Sequence, residues 1–202
     1  MRCDFEVTGS DGKSRTVIEV KTVVDSDYDP ATPPPRSTCV FFGPSSPYSR
    51  AAIFPWGKAR QRGPSGEKVV SARAIKHLDQ LAAIARGHRT LPDGTRLRAA
   101  LVFIVVRPDA LSFRPNTEAC PSFAKHLQAA KAAGVRVLAR RIGWSDCGSG
   151  EASVTSSSIC VSSPTSLPVL ALVQEHSHCN IHTSLVFESM YVSKCFFPHT
   201  FI

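Results

Sequence analysis

Glu19 and Lys21 stand two residues apart in Thr16-Val17-Ile18-Glu19-Val20-Lys21-Thr22-Val23-Val24, whose β-branched residues predict a strand. At period 2, Val17, Glu19, Lys21 and Val23 share one face, and Ile18, Val20 and Thr22 share the other. A carboxylate and an ammonium on a strand that otherwise wants burial are costly unless they are paired or used. A second acid meets them. Cys3-Asp4-Phe5-Glu6-Val7 reads as a shorter strand, and Gly9-Ser10-Asp11-Gly12 carries the Asp-Gly signal of a hairpin. With Asp11-Gly12 as the loop, Asp4 falls directly opposite Glu19 on the same face, with Cβ atoms about 5 Å apart. Two carboxylates and a lysine so placed are the parts of a Mg²⁺ site for phosphodiester chemistry. Asp4 and Glu19 would hold the ion and Lys21 would balance phosphate charge. A strand with a solvated edge is the plainer reading of the same residues.

The charge around this strand suits a polyanionic partner. Residues 1–144 hold 23 of the 24 Lys and Arg against 12 acids, a net +11, whereas residues 145–202 hold one against four. Residues 50–98 alone carry 11 basic and three acidic side chains. That density points to nucleic acid, with simple solubility charge as the alternative. A chain of 202 residues that is 43% hydrophobic can build one well-buried domain and a small appendage. No run of 18 apolar residues predicts a membrane span. The first residues lack a basic and apolar leader, and the seven cysteines are odd in number and free of CxxC pairs. Together these predict reduced thiols and an intracellular location, with no compartment specified.

The elements that must position Glu19 and Lys21 follow in order. Residues 25–49 contain Pro30, Pro33, Pro34, Pro35, Pro44 and Pro47, which predict a long loop or insert. Ala51-Ala52-Ile53-Phe54 is a short buried strand stopped by Pro55. A Gly-rich basic connector over 57–68 includes Lys58, Arg60 and Arg62. It lacks Walker spacing and reads either as a phosphate-contacting loop or as an inconsequential insertion. Residues 69–86 predict the clearest helix, with Val70, Ala74, Ile75, Leu78, Leu81, Ala82 and Ala85 in one stripe and Gly87 as the stop. Its polar side carries Arg73, Lys76, His77 and Gln80 as one ridge, either substrate-facing or merely solvated. Ala99 to Val106 predicts a strand buried on both faces. A second helix opens at Pro121 and stops at Gly134, and Val135 to Ala139 is the next strand. The order predicts an α/β fold, a mixed β-sheet with flanking helices. Residues 145–166 are rich in Ser and Thr and lack periodicity, so an irregular, poorly ordered tail over 144–202 is expected to follow a domain at 1–143. His176, His178, Cys179 and His182 match no established zinc spacing and read as incidental.

The collinear set Arg2-Cys3-Asp4-Phe5, Ile18 to Val23, Ile53-Phe54-Pro55 and Val70 to Leu78 resembles the sugar fermentation stimulation protein family. The resemblance continues through Phe103 to Ala110, Phe113-Arg114-Pro115 and Ala129 to Val135, and covers about residues 2–140. It implies the family's C-terminal domain, a PD-(D/E)xK, restriction-endonuclease-like core in which Asp4, Glu19 and Lys21 carry the metal and phosphate chemistry. It also implies DNA binding, a regulatory role in sugar metabolism, and an oligonucleotide-binding-type barrel upstream; that barrel is absent from the sequence as given, which opens just before Asp4. Three positions depart from the family pattern: Trp56 stands where an Asp is usual, Ala74 where a Gly is usual, and Cys120 where an acid precedes Pro121. As a helix N-cap, Cys is expected to be worse than Asp by on the order of 1 kcal/mol.

Two functions follow from these residues. One is a DNA-binding protein, regulatory in role, that uses a nuclease-like fold to bind. The other is a Mg²⁺-dependent nuclease with Asp4, Glu19 and Lys21 at its centre and Arg73, Lys76 and His77 on the phosphates, together with Lys58, Arg60 and Arg62.

Overall fold

Asp11 shapes the first hairpin. Its Oδ1 accepts the N–H groups of Lys13 and Ser14 at 2.9 and 2.8 Å and the Ser14 hydroxyl at 3.0 Å. Gly12 takes a φ of +66°, open to glycine without strain. The Gly9 N–H closes on the Ser14 carbonyl at 2.8 Å. The loop is therefore residues 10–13 rather than Asp11-Gly12 alone, yet the register is the one expected: Phe5 pairs with Ile18 and Thr8 with Arg15.

The structure, a computed structural model, describes residues 3–29, 31, 48–57, 60–146, 152–161 and 192–193. The elements in chain order are β1 (Phe5–Thr8), β2 (Arg15–Val23), β3 (Ala51–Phe54), β4 (Gln61–Arg62), β5 (Lys68–Val69) and α1 (Ala72–Ala85). They continue with β6 (Leu97–Val105), β7 (Ser112–Pro115), α2 (Pro121–Ala132), β8 (Arg136–Asp146), β9 (Ala152–Val161) and β10 (Val192–Ser193). One sheet runs β10-β1-β2-β6-β8-β9-β7-β3, and β4 and β5 pair separately. The centre is parallel, β2 with β6 and β6 with β8, whereas β1 joins β2 and β9 joins β8 antiparallel. This is the mixed α/β sheet expected from the element order. No helix among the described residues is long and apolar enough to cross a membrane.

The register sets Glu19 beside Leu101 and Lys21 beside Phe103 on one face of the sheet. Both helices cover that face. Ile75, Leu78 and Leu81 of α1 and Phe123 and Leu127 of α2 are buried against Leu101, Phe103 and Val105. Phe103 stacks on Phe113 with ring centroids 4.1 Å apart, and Phe54 lies between Phe103 and Phe123 at 5.7 and 5.2 Å. The opposite face, with Phe5, Ile18, Val20, Val102 and Ile104, is partly open.

Three expectations change. Helix α1 begins at Ala72 and not at 69, because residues 68–69 pair as β5 and Ser71 turns into the helix as its N-cap. The 57–68 connector is a β-hairpin from Gln61 onward, tied to α2 by the Ser122 hydroxyl, which donates to Glu67 at 2.6 Å. The Ser-rich stretch is not irregular: residues 152–161 form β9, inserted between β8 and β7. The strand edges of β8 and β7 need backbone partners, and backbone hydrogen bonding makes no demand for apolar periodicity. Ile159 and Val161 pack against the core from β9. Most of the Pro-rich insert and the His176, His178, Cys179 and His182 group lie outside the described residues.

Candidate phosphodiester site

Glu19 is 1% exposed, in the middle of β2. Its Oε1 is bound by the Lys21 ammonium from the same strand and by His77 Nδ1 from α1. Lys21 Nζ also lies 3.4 Å from His77 Nδ1. Period 2 on β2 brings the first two together, and the third arrives because α1 packs on that face with His77 one turn after Arg73. The other oxygen, Glu19 Oε2, is buried with no hydrogen-bond partner among the described residues. A buried acceptor left unfilled costs roughly 1–3 kcal/mol, more when it is charged.

Asp4 is exposed at the start of β1. Its Oδ2 accepts the Val20 N–H at 2.8 Å, which ties the strand entrance to β2. Asp4, Glu19 and Lys21 line one cavity of about 260 Å³ with Ser71 and Arg73 from the start of α1. The helix start is built for this place. Ser71 Oγ accepts the Ala74 N–H at 3.3 Å, and Gln61 Oε1 accepts the Ala72 N–H at 2.9 Å. Both bonds satisfy donors that a helix leaves orphaned at its first turn. Ala74, in place of glycine, is buried there without difficulty.

The remaining expected residues scatter. Arg73 reaches the cavity wall, whereas Lys76 is exposed on α1 and is not part of that wall. His77 turns inward to Glu19 and so leaves the basic ridge it was read into. Arg60 is exposed, with Nη1 donating to the Gly57 carbonyl at 3.1 Å, and Arg62 is exposed on β4. Lys58 lies outside the described residues. Trp56 packs against Ile53. Cys120 is the N-cap of α2 with no side-chain cap bond, its thiol buried in the core instead.

Ser71 and Gln61 were missed in the sequence. Ser71 immediately before a periodic apolar run is a readable cap signal. Gln61 has no such signal, since it acts eleven residues away through the β4–β5 hairpin.

A divalent cation such as Mg²⁺ keeps several waters and takes one or two protein carboxylates. Asp4 and Glu19 on one wall, with Glu19 Oε2 buried and unfilled, fit that demand. Among the described residues no group of three or more His, Cys, Asp and Glu forms a cage built wholly by protein.

Residues 68–147 match the family model described as the sugar fermentation stimulation protein RE domain. The sugar fermentation stimulation protein homolog of Moorella thermoacetica is 40% identical over 72 residues, 35% of this chain and 27% of that protein. The homolog of Thioalkalivibrio sulfidiphilus is 44% identical over 71 residues, 35% of this chain and 26% of that protein. The matched stretch thus spans about a quarter of the length of these relatives. Among solved structures, that of Pyrococcus furiosus SfsA in complex with Ca²⁺ is similar with a TM-score of 0.49 and 24% identity, covering 79% of this chain and 49% of that one.

Proposed function

Because this chain belongs to the sugar fermentation stimulation protein family, carrying its C-terminal domain, we propose that it binds nucleic acid, DNA first, with a phosphodiester seated in the cavity between β2 and the first turn of α1. One observation carries this reading: Lys21 and Arg73 converge on that cavity at a helix N-terminus. The Lys21 ammonium and the Arg73 guanidinium supply the charge-assisted donors, and the positive end of the α1 dipole adds to them. Glu19 and His77 hold Lys21 in place from behind. Binding without cleavage corresponds to a regulatory role.

A second reading, metal-dependent phosphodiester hydrolysis, is favoured by the unfilled Oε2 of Glu19 and by Asp4 on the wall of the same cavity. Asp4 and Glu19 would hold Mg²⁺, which when bound lowers the pKa of its water and stabilises charge developing on phosphate. Lys21 would then balance that charge from the same wall.

One experiment separates the two. The chain and its Glu19→Gln variant are incubated with labelled duplex, with Mg²⁺ or Mn²⁺ and without metal. Metal-free binding is expected in both, held or tightened in the variant because a carboxylate no longer repels phosphate. Cleavage by the parent that vanishes in Glu19→Gln establishes the hydrolytic reading; binding with no cleavage in either metal removes it. Absence of both binding and cleavage at low salt overturns the proposal as a whole.

A further inference from the structure

A second and larger cavity, about 640 Å³, lies at the other end of the parallel strands. Its size falls within the range of small-molecule sites. Lys13, Arg96, Arg98 and Arg136 rim it, and Asp11 is the single carboxylate on its wall. Asp11 Oδ1 is committed to the N–H groups of Lys13 and Ser14 and to the Ser14 hydroxyl. Among the described residues, none of the four cations forms an ion pair.

The sheet forces these charges together. Arg98 pairs with Thr16, and Arg136 pairs with Ala100, two residues beyond Arg98. The two arginines are therefore diagonal neighbours on one face, where like charges repel. Arg96 is fastened at the rim, its Nη2 donating to the Ala85 carbonyl at 3.2 Å. Leu97 and Ala99 also line the cavity, alternating with Arg98 along β6 so that their side chains enter the helix-covered core. Gly134, with φ +98°, leaves open space where a side chain would stand.

Repelling guanidinium groups at a cavity of this size are what a phosphorylated, nucleotide-sized anion requires. We infer that this cavity binds a phosphoryl anion of nucleotide size, its phosphate between Arg98 and Arg136. The phosphate belongs either to a free nucleotide or to the backbone of a bound nucleic acid. The inference does not depend on Glu19 or on the reading proposed for its cavity.

The full chain is titrated with AMP, with inorganic pyrophosphate and with a labelled duplex, following the backbone amides of Thr16, Thr95 and Gly134 by NMR. AMP and pyrophosphate are expected to shift these amides. The Arg98→Gln/Arg136→Gln pair should weaken binding at least tenfold, and Lys125→Gln/Lys131→Gln, an equal charge loss on α2, should leave it unchanged. If neither small anion shifts the amides but duplex does, the phosphate is that of nucleic acid. The glutamine pair then lowers the salt slope by about 1.8, two contacts at roughly 0.9 each. Arg98→Lys/Arg136→Lys keeps the charge and should keep most of the binding, which answers for any folding defect in the glutamine pair. Amides unmoved by all three probes, or parent-like binding by the glutamine pair, overturns the inference.

Discussion

Glu19 decides most of the chemistry at the residue scale. A carboxylate 1% exposed is tolerated because Lys21 and His77 converge on one of its oxygens. Removing one partner of a buried pair costs roughly 3–5 kcal/mol, since the other charge stays buried and uncompensated. The Lys21 side chain is 18% exposed, so water screens part of that loss. Lys21→Met is therefore expected to destabilise the fold by about 2–3 kcal/mol in urea unfolding. Glu19→Gln, which removes the charge and keeps the shape, should cost less. A loss below roughly 0.5 kcal/mol for Lys21→Met would rank the pair with surface ion pairs and refute its burial. A second buried acid, Asp27, is satisfied differently: the Tyr48 hydroxyl and the Ala51 N–H donate to it at 2.7 and 2.8 Å. Burial and that bond hold the Tyr48 phenol protonated well above its usual range.

At the scale of elements, β9 joins β8 to β7. It pairs antiparallel with β8 from Ala139↔Ile159 to Asp146↔Ala152, and parallel with β7 at Ser112↔Cys160 and Phe113↔Val161. Strand β3 pairs with β7 and is also bonded to the chain leaving β2, where the Asp27 N–H donates to the Ala51 carbonyl at 2.9 Å and the Ile53 N–H to the Asp25 carbonyl at 3.0 Å. A chain ended after Asp146 exposes the edges of both β8 and β7. Exposed edges are templates for association. Such a chain is expected to lose the single cooperative urea transition of the full chain and to associate, seen as a concentration-dependent sedimentation profile. A monomer with parent-like cooperativity would show that β9 adds nothing to the core. On the other side of the sheet, α1 depends on Ser71 and Gln61 at its start, so the helix that delivers His77 and Arg73 is positioned in part by the β4–β5 hairpin.

The whole molecule is electrostatically lopsided, with a net +11 over residues 1–144. Cations of that number attract a polyanion from any direction, and contact geometry then decides which of them release counterions. Duplex affinity is expected to fall linearly on a log–log plot against salt, with a slope of about −0.9 for each phosphate contacted. Arg73 stands on the cavity wall and Lys76 is exposed beside it on α1. Replacing both with Ala should flatten the slope by about 0.9 if one makes contact and about 1.8 if both do. An unchanged slope would mean that this end of α1 is a solvated face and that the phosphates lie elsewhere.

Local chemistry was legible wherever one residue type and one period settle the matter. The β-branched run of β2, the Asp11-Gly12 turn and the resulting register from Phe5↔Ile18 to Thr8↔Arg15 all follow from side-chain alternation and turn geometry within twenty residues. Helix α1 was legible because a buried stripe repeats every turn, and α2 because Pro121 and Gly134 mark its start and stop. The tertiary structure alone decided what depends on distant packing. His77 looks like part of a basic ridge until α1 is laid on β2, when its ring meets Glu19 rather than solvent. The Ser-rich stretch looks irregular because the bonds that order it are backbone bonds to β8 and β7, which carry no signature in side-chain hydropathy. The cationic cavity at Arg98 and Arg136 is equally invisible in sequence: 38 residues separate the two, and only the parallel register of β6 and β8 makes them neighbours.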